Sequence, residues 1–387
     1  MRRILFVDDE PRVLDGLRDL FRRQRREWDM VFAPGGQEAL AALDGAPFDV
    51  IVCDMRMPVV DGNAVLAAAR DKQPSAARII LSGFAGRDAE LAALSVAHQF
   101  VSKPAEPAAL RSVIERACTL PALLTDPALR SLVGRLDRLP SPPTLYFDLT
   151  RATARPDVTM AELAALVEQD PAMTAKVLQL ANSALFGLHA KPSSVHQALV
   201  YLGVQRLKAL TLTAHVFLEG HAVTRCLDVD ALQRHSLAVA QLAQQFVRDP
   251  ARADITFTAA LLHEVGRVLI AMAEPAVAAE VARASASSGR PPHEIEYEHL
   301  GTTHADAGAY LLALWGLPLE IVEAVRCHHR PDEAPVETVV AVHVADALLR
   351  EAETGQGGWL HERALAASPF ADDLPRWRAL AAHARVQ

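Results

Sequence analysis

The chain has 387 residues, 51% hydrophobic and 22% charged, which is material for two or three globular domains. Its net charge of −8 provides no global basic field to draw it to nucleic acid or to anionic lipid. The four cysteines, Cys53, Cys118, Cys226 and Cys327, are widely spaced with no C-x-x-C pair, which excludes a disulfide framework and a zinc ribbon and fits reduced thiols in a cytoplasm.

At the start, Asp8 and Asp9 come too early for the apolar region of a signal peptide. No uninterrupted apolar stretch reaches the roughly 18 residues of a membrane span. RILFV (3–7) reads as a buried parallel strand and VLDGLRDLFRR (13–23) as a helix. The basic run Arg22, Arg23, Gln24, Arg25, Arg26 falls at that helix's end, where cations suit the negative dipole end, and reads as a solvated face. MVFA (30–33) is a second predicted strand, with a helix through GQEALAAL behind it. FDVIVCD (48–54), ARIILSG (77–83) and HQFVSKP (98–104) add three more, each followed by a helical stretch. Five strands alternating with helices predict an α/β layer fold on a parallel sheet, with sites outside the carboxyl ends of the strands.

Asp8 and Asp9 follow the first strand, Asp54 ends the third, Ser82 the fourth and Lys103 the fifth, so this topology gathers them at one sheet edge. Carboxylates so crowded repel one another, and a divalent cation holds them ionised. Mg²⁺ suits them because it prefers oxygen ligands and binds through a few carboxylates plus a phosphate. A carboxylate in such a place is also a nucleophile for phosphoryl transfer, with a lysine and a hydroxyl to bond the phosphoryl oxygens.

The ordered set FVDDEP, CDMRMPVVDG, LSG and FVSKP resembles the motifs of response-regulator receiver domains, over residues 1–118. The resemblance implies a flavodoxin-like sheet with Asp54 as phosphoacceptor. It implies Mg²⁺ held by Asp54, by Asp9 directly, by Asp8 through water and by the backbone carbonyl of Arg56. Ser82 and Lys103 would contact the phosphoryl group, Phe100 stands at the aromatic switch position, and Pro104 follows the lysine. The implied partners are a sensor histidine kinase or phosphotransfer protein, a downstream protein that the sequence does not name, and a second copy docked through the receiver face.

Residues 120–144 carry several prolines around a short helical segment and read as the interdomain linker, bounded at 119–138. Beyond them almost everything has helical period. Thr159 is a predicted cap, and Pro171 opens a further helix in TMAELAALVEQDPAMTAKVL (159–178). That segment looks like a helix-turn-helix, but it has few basic residues, and two packed core helices explain it better. Of fifteen histidines only His98 precedes residue 120, whereas eight lie between His235 and His343. His235, the pair His263 and Glu264 in LLHEVGRVL, and Asp346 in VHVADALL are positioned to close round one Zn, Fe, Mn or Ni ion. His299, His304, His328, His329 and His343 would extend the cluster. Such a metal polarises a phosphate ester and lowers the pKa of bound water.

LPSPPT (139–144), VEQDPAMTAKVLQLANSALFG (167–187), VHQALVYLGVQRLKALTL (195–212), LLHEVGRVLI (261–270), HLGTTHADAGAYLLALWGLP (299–318) and CHHRP (327–331) resemble the HDOD domain, a helical relative of the HD phosphohydrolases. The characteristic part includes Asp170, Pro171, Asn182 and Ser183. The resemblance implies an all-helical domain at 139–350, followed by a helical tail at 351–387. Against the active HD pattern, His235, His263 and Asp346 fit but Glu264 replaces an aspartate, and Arg267 stands where two-metal relatives carry lysine. The Gly-Tyr-Pro signature of cyclic-di-GMP hydrolases is missing after CHHRP. The expected output is therefore a non-catalytic interaction domain. The alternatives are a divergent phosphodiesterase and, third, a nucleic-acid-binding unit. Cyclic di-GMP binding would draw on Arg206, Arg234, Arg248, Arg252, Arg267 and Arg326.

Overall fold

The computed structural model describes residues 1–82, 96–103, 106–124, 126–136, 148–149, 151–153, 155, 157–182, 191–214, 226–334, 336–355, 359–366 and 371–384. They form two compact units, one built on Met1–Arg138 and the other on most of Leu139–Gln387.

In the first unit, β1 (Arg2–Val7), β2 (Trp28–Ala33), β3 (Val50–Asp54), β4 (Ala77–Ser82) and β5 (Gln99–Ser102) make one parallel sheet in the order β2-β1-β3-β4-β5. Central β3 is buried along its whole length, which is why VIVCD is a continuous apolar run and not an alternation. Val7 pairs with Cys53, Asp54 with Leu81 and Ser82 with Ser102. In that register Asp8, Asp54 and Lys103 all emerge at the carboxyl end of the sheet. The chain then turns sharply into the helix Gly62–Lys72, capped by Asp61. Only glycine fits at its first position, because a Cβ on Gly62 would stand 2.1 Å from the Asp54 carbonyl oxygen.

One expectation needs correcting here. The first helix stops at Leu20, and Arg22–Arg26 forms a separate 3-10 turn with no buried residue. The apolar anchor between them is Phe21, fully buried and stacked on Phe6. Within residues 119–138, read from the sequence as a linker around a short helical segment, that helix is present. Their prolines start helices: Pro127 follows the Asp126 cap and opens the helix Pro127–Arg135. Buried Arg78 on β4 ties that helix down, donating Nη2 to the Gly134 carbonyl at 2.6 Å and Nε to the Val96 carbonyl at 2.5 Å.

The described residues of the second unit are helical. Thr159 and Glu162 form a capping box on Met160–Val167. Asp170 accepts the Ala172 N–H at 3.0 Å ahead of Pro171–Ala181, so the Asp-Pro pair is a helix start. Leu163, Val167, Val177 and Leu178 are fully buried, making this segment a pair of core helices. LPSPPT (139–144) and Ser183 lie outside the described residues. The stretch Pro250–Ala273 has the length and mean hydropathy (1.4) of a membrane span, yet 78% of its apolar window is buried inside the protein. It is also broken at His263 and Glu264 into the helices Pro250–Leu262 and Val265–Ala273. The expected boundary at residue 350 falls within the helix Glu337–Thr354, which ends at Gly355 in the left-handed conformation (φ 69°). The tail beyond it shares the core: Trp377 on Leu374–Ala384 is 2% exposed and stacks on Phe246 at 3.9 Å.

Candidate functional site

In the first unit the strand ends converge as the topology predicts. Asp8 and Asp54 are 1% and 7% exposed, and Lys103 Nζ reaches both, at 2.8 Å from Asp8 Oδ2 and 2.6 Å from Asp54 Oδ1. The Arg56 N–H donates to Asp54 Oδ2 at 3.2 Å and the Glu10 N–H to Asp8 Oδ1 at 2.9 Å. Burial raises the Asp54 pKa, and Lys103 holds part of that rise back. For Lys103 burial works downward, but the pairs with Asp54 and Asp8 outweigh it and hold the amine above its ordinary range. Asp9 is half-buried directly after Asp8. This all-oxygen donor set, with one cation already spanning two carboxylates, fits Mg²⁺. The side chains of Ser82 and Phe100, and residues Gly83 and Pro104, lie outside the described residues.

In the second unit the histidine cluster also assembles. His235 comes from Val229–Ala243, His263 and Glu264 from the joint between two helices, His304 from the first turn of His304–Leu314, His328 and His329 from the end of Leu319–Cys327, and Asp346 from Glu337–Thr354. The close approach that brings His304 to Glu264 depends on Gly266, where a Cβ would lie 1.8 Å from the His304 carbonyl oxygen. One ligand atom from each of His235, His263, Glu264 and Asp346 falls within a 4.8 Å group, and His304, His328 and His329 form a second such group. His235 Nε2 lies 2.9 Å from Asp346 Oδ1, His263 Nε2 3.6 Å from the same oxygen, and His304 Nε2 3.0 Å from His329 Nε2.

Hydrogen bonds and burial set the ring nitrogens and carboxylates of this cluster apart from one another. His263 and His328 each direct Nδ1 at a backbone carbonyl, of Ala260 at 2.5 Å and Val325 at 2.6 Å, which leaves Nε2 as the ring nitrogen facing the cluster. Both Nε2 atoms, with Glu264 Oε2, are buried without a hydrogen-bond partner among the described residues. Burial pushes His328 and His329 well below the usual imidazole range, which leaves them neutral. It works to raise Glu264 and Asp346, but Arg267, His304 and Arg350 hold Glu264, and Arg350 with His235 and His263 holds Asp346, well below the carboxylate range. His304 shifts the other way: burial lowers it, but Glu296, 2.7 Å from Nδ1, and Glu264 together raise it.

Two expected members fall elsewhere. His299 is exposed, and His343 stands one layer out, with Nδ1 2.6 Å from the His328 carbonyl and Nε2 accepting the His361 N–H at 2.8 Å. Two residues that the sequence reading missed are central: Glu296, which orients His304, and Arg350, which donates Nε to Asp346 Oδ1 at 2.8 Å and Nη2 to Glu264 Oε1. The signal for Arg350 was its i+4 spacing from Asp346. Of the arginines weighed for cyclic di-GMP, Arg252, Arg267 and Arg326 are engaged by Glu337, Glu264 and Glu333, and the Arg206 side chain is outside the described residues. A small pocket lined by Asp170, Gln233, Ser236, Glu264, Val265 and Val268 opens beside the cluster. Through Gln233, whose Nε2 donates to Asp170 at 3.1 Å, it adjoins the Asp-Pro helix start.

The family model of the response regulator receiver domain matches residues 4–115, and that of the HDOD domain residues 139–331. An uncharacterized protein of Treponema pallidum is 28% identical over 209 residues, 54% of this chain and 40% of that protein. The hydrogenase transcriptional regulatory protein HoxA of Cupriavidus necator is 33% identical over 125 residues, 32% of this chain and 25% of that protein. The chain thus spans less than half the length of either curated relative. The crystal structure of the MmoQ response regulator from Methylococcus capsulatus matches with a TM-score of 0.50 and 25% identity, over 62% of this chain and 98% of that one.

Proposed function

We infer, for a chain that belongs to the response regulators joining a receiver domain to an HDOD domain, that it takes a phosphoryl group on Asp54 and signals by protein interaction through a non-catalytic helical output. The observation that carries this is Lys103 Nζ held between Asp8 and Asp54 at 2.8 and 2.6 Å. The donor is a phosphohistidine of a sensor kinase or phosphotransfer protein, and a cytoplasmic site of action fits that donor. An Asp54 carboxylate oxygen attacks phosphorus, the P–N bond breaks, and the released imidazole takes up a proton. Lys103 can follow the charge from the Asp54 carboxylate to the new phosphoryl oxygens without leaving Asp8. Mg²⁺ held by Asp8, Asp9, Asp54 and the Arg56 carbonyl supplies charge neutralisation for the phosphoryl oxygens. The new group brings close to two negative charges and three acceptors to the sheet edge, which biases the receiver surface toward different contacts.

In the helical unit, the neutral imidazoles and ionised carboxylates suit a transition metal of the Zn, Fe, Mn or Ni type, not Mg²⁺. We assign that centre a binding or structural role, since Arg350 and Arg267 both lie on the Glu264 carboxylate. Incubation with a small phosphodonor and Mg²⁺ tests the main reading. The wild-type chain incorporates one phosphoryl group and Asp54→Asn none; equal labelling of Asp54→Asn overturns it.

A further inference from the structure

Arg350 occupies a singular place in the histidine cluster. Its Nε and Nη2 donate to Asp346 Oδ1 and Glu264 Oε1, on two residues that belong to the group of candidate ligands. The side chain is 12% exposed, and its guanidinium carbon lies 5.2 Å from the centroid of Trp359. The guanidinium therefore stands as the counter-charge of two buried carboxylates, which is the position a metal ion claims. It completes only part of the cluster. An arginine has donors alone, so it satisfies carboxylate oxygens and does nothing for a nitrogen lone pair. His263 Nε2 and His328 Nε2 remain buried without a hydrogen-bond partner among the described residues. Lone pairs of that kind are completed by an electrophile.

We propose that Arg350 is a built-in substitute cation: it locks Asp346 and Glu264 in the metal-free chain, and a transition metal enters only as the guanidinium withdraws from those oxygens toward Trp359. This rests on the reading of the cluster as a metal centre and adds a competitor to it. The physical basis is exclusion by like charge. A metal ion bound at about 2.0–2.2 Å to these carboxylates would stand within a few ångströms of the guanidinium, and two cations so close repel each other. The aromatic face of Trp359 offers the displaced guanidinium a favourable resting place.

The test uses the full-length chain stripped of metal and titrated with Zn²⁺ or Co²⁺ alone. Affinity is read by chelator competition and Co²⁺ site formation by visible absorption. Arg350→Met removes the competitor and is expected to tighten metal binding at least about tenfold; His263→Ala abolishes binding in either background. Arg350→Lys, which keeps the charge but loses the two-pronged geometry, falls between and serves if the methionine variant does not fold. Tryptophan fluorescence of the wild type changes in step with occupancy, and the change disappears in Trp359→Phe. If the wild type and both Arg350 variants bind metal with equal affinity, the metal centre stands and the substitute-cation proposal falls. If none of them binds metal, the centre itself is wrong and the proposal falls with it.

Discussion

Lys103→Met tests the electrostatic core of the receiver site. The substitution keeps the length of the side chain and removes a cation bonded to both Asp8 and Asp54. Those carboxylates are 1% and 7% exposed, so neither is left to water. The penalty at pH 7 has a ceiling, because one carboxyl takes a proton instead of tolerating the repulsion. Lifting a carboxyl from near 4 to 7 corresponds to about 4 kcal/mol, at about 1.36 kcal/mol per pKa unit. The Lys103 side chain is 28% exposed, so solvent already screens part of its charge. The net loss is then about 2–3 kcal/mol. Mg²⁺ replaces the missing charge: at one hundred times its Kd a ligand stabilises by about 2.7 kcal/mol. It gains more in the variant, which has no lysine to repel it. Hydrogen exchange of β1 and β3 amides reads this unit alone. In chelator the variant is expected to exchange about 30- to 150-fold faster than wild type, with the gap narrowing as Mg²⁺ is added. Equal exchange in chelator, or a gap that Mg²⁺ leaves unchanged, would refute the reasoning.

Two further expectations concern the helical unit. Gly266→Ala places a methyl group against the His304 carbonyl, 1.8 Å away before relaxation; overpacking there costs about 1–3 kcal/mol, and calorimetry should show that loss together with weaker metal uptake as His304 moves off Glu264. Glu168, raised from 4.5 to about 7 by burial and then by Asp254, makes stability fall with pH. Its carboxyl is held protonated in the folded chain between those two values, so its contribution is complete below 4.5 and gone above about 7. Glu168→Gln should match wild type in urea unfolding near pH 4.5 and exceed it by about 1–2 kcal/mol at pH 8, after discounting for partial exposure; equal stability at both pH values would count against a buried, proton-holding Glu168.

The receiver site was legible because its geometry is set by strand periodicity. Each site residue stands at or just after a buried strand, so parallel topology alone predicts that Asp8, Asp54 and Lys103 meet. The helical cluster was legible in membership but not in connection. His235, His263, His304, His328, His329 and Asp346 were all singled out, yet nothing in a helical period says which faces meet across five elements. His299 and His343 show the gap: both are histidines of the same stretch, and only the packing separates an exposed one and an outer one from the cluster. Glu296 was invisible for a similar reason, since its contact with His304 bridges a turn between two helices. The bounds of the short helix within 119–138 were not legible because proline is ambiguous in a sequence. The same residue that interrupts a helix also begins one, and the Asp126 cap before Pro127 decided for a beginning.

The two sites solve one problem with different cations, and the difference predicts their behaviour. Each holds a pair of nearly buried carboxylates, and each places a basic side chain of the chain itself between them. In the receiver that side chain is a lysine, a point charge on a flexible stem with three equivalent donors, 28% exposed at the mouth of the site. It can share its charge with an incoming phosphoryl group at little geometric cost, which suits a site that must load and unload. In the helical unit the cation is Arg350, a planar fork matched to two oxygens at once and 12% exposed. A fork so matched yields only to a ligand that binds the same oxygens and also meets the imidazole nitrogens the arginine leaves bare. On the proposed reading, the receiver would take a weakly held, exchangeable ion, whereas the histidine cluster would take only a metal that prefers nitrogen and displaces Arg350 from its two carboxylates.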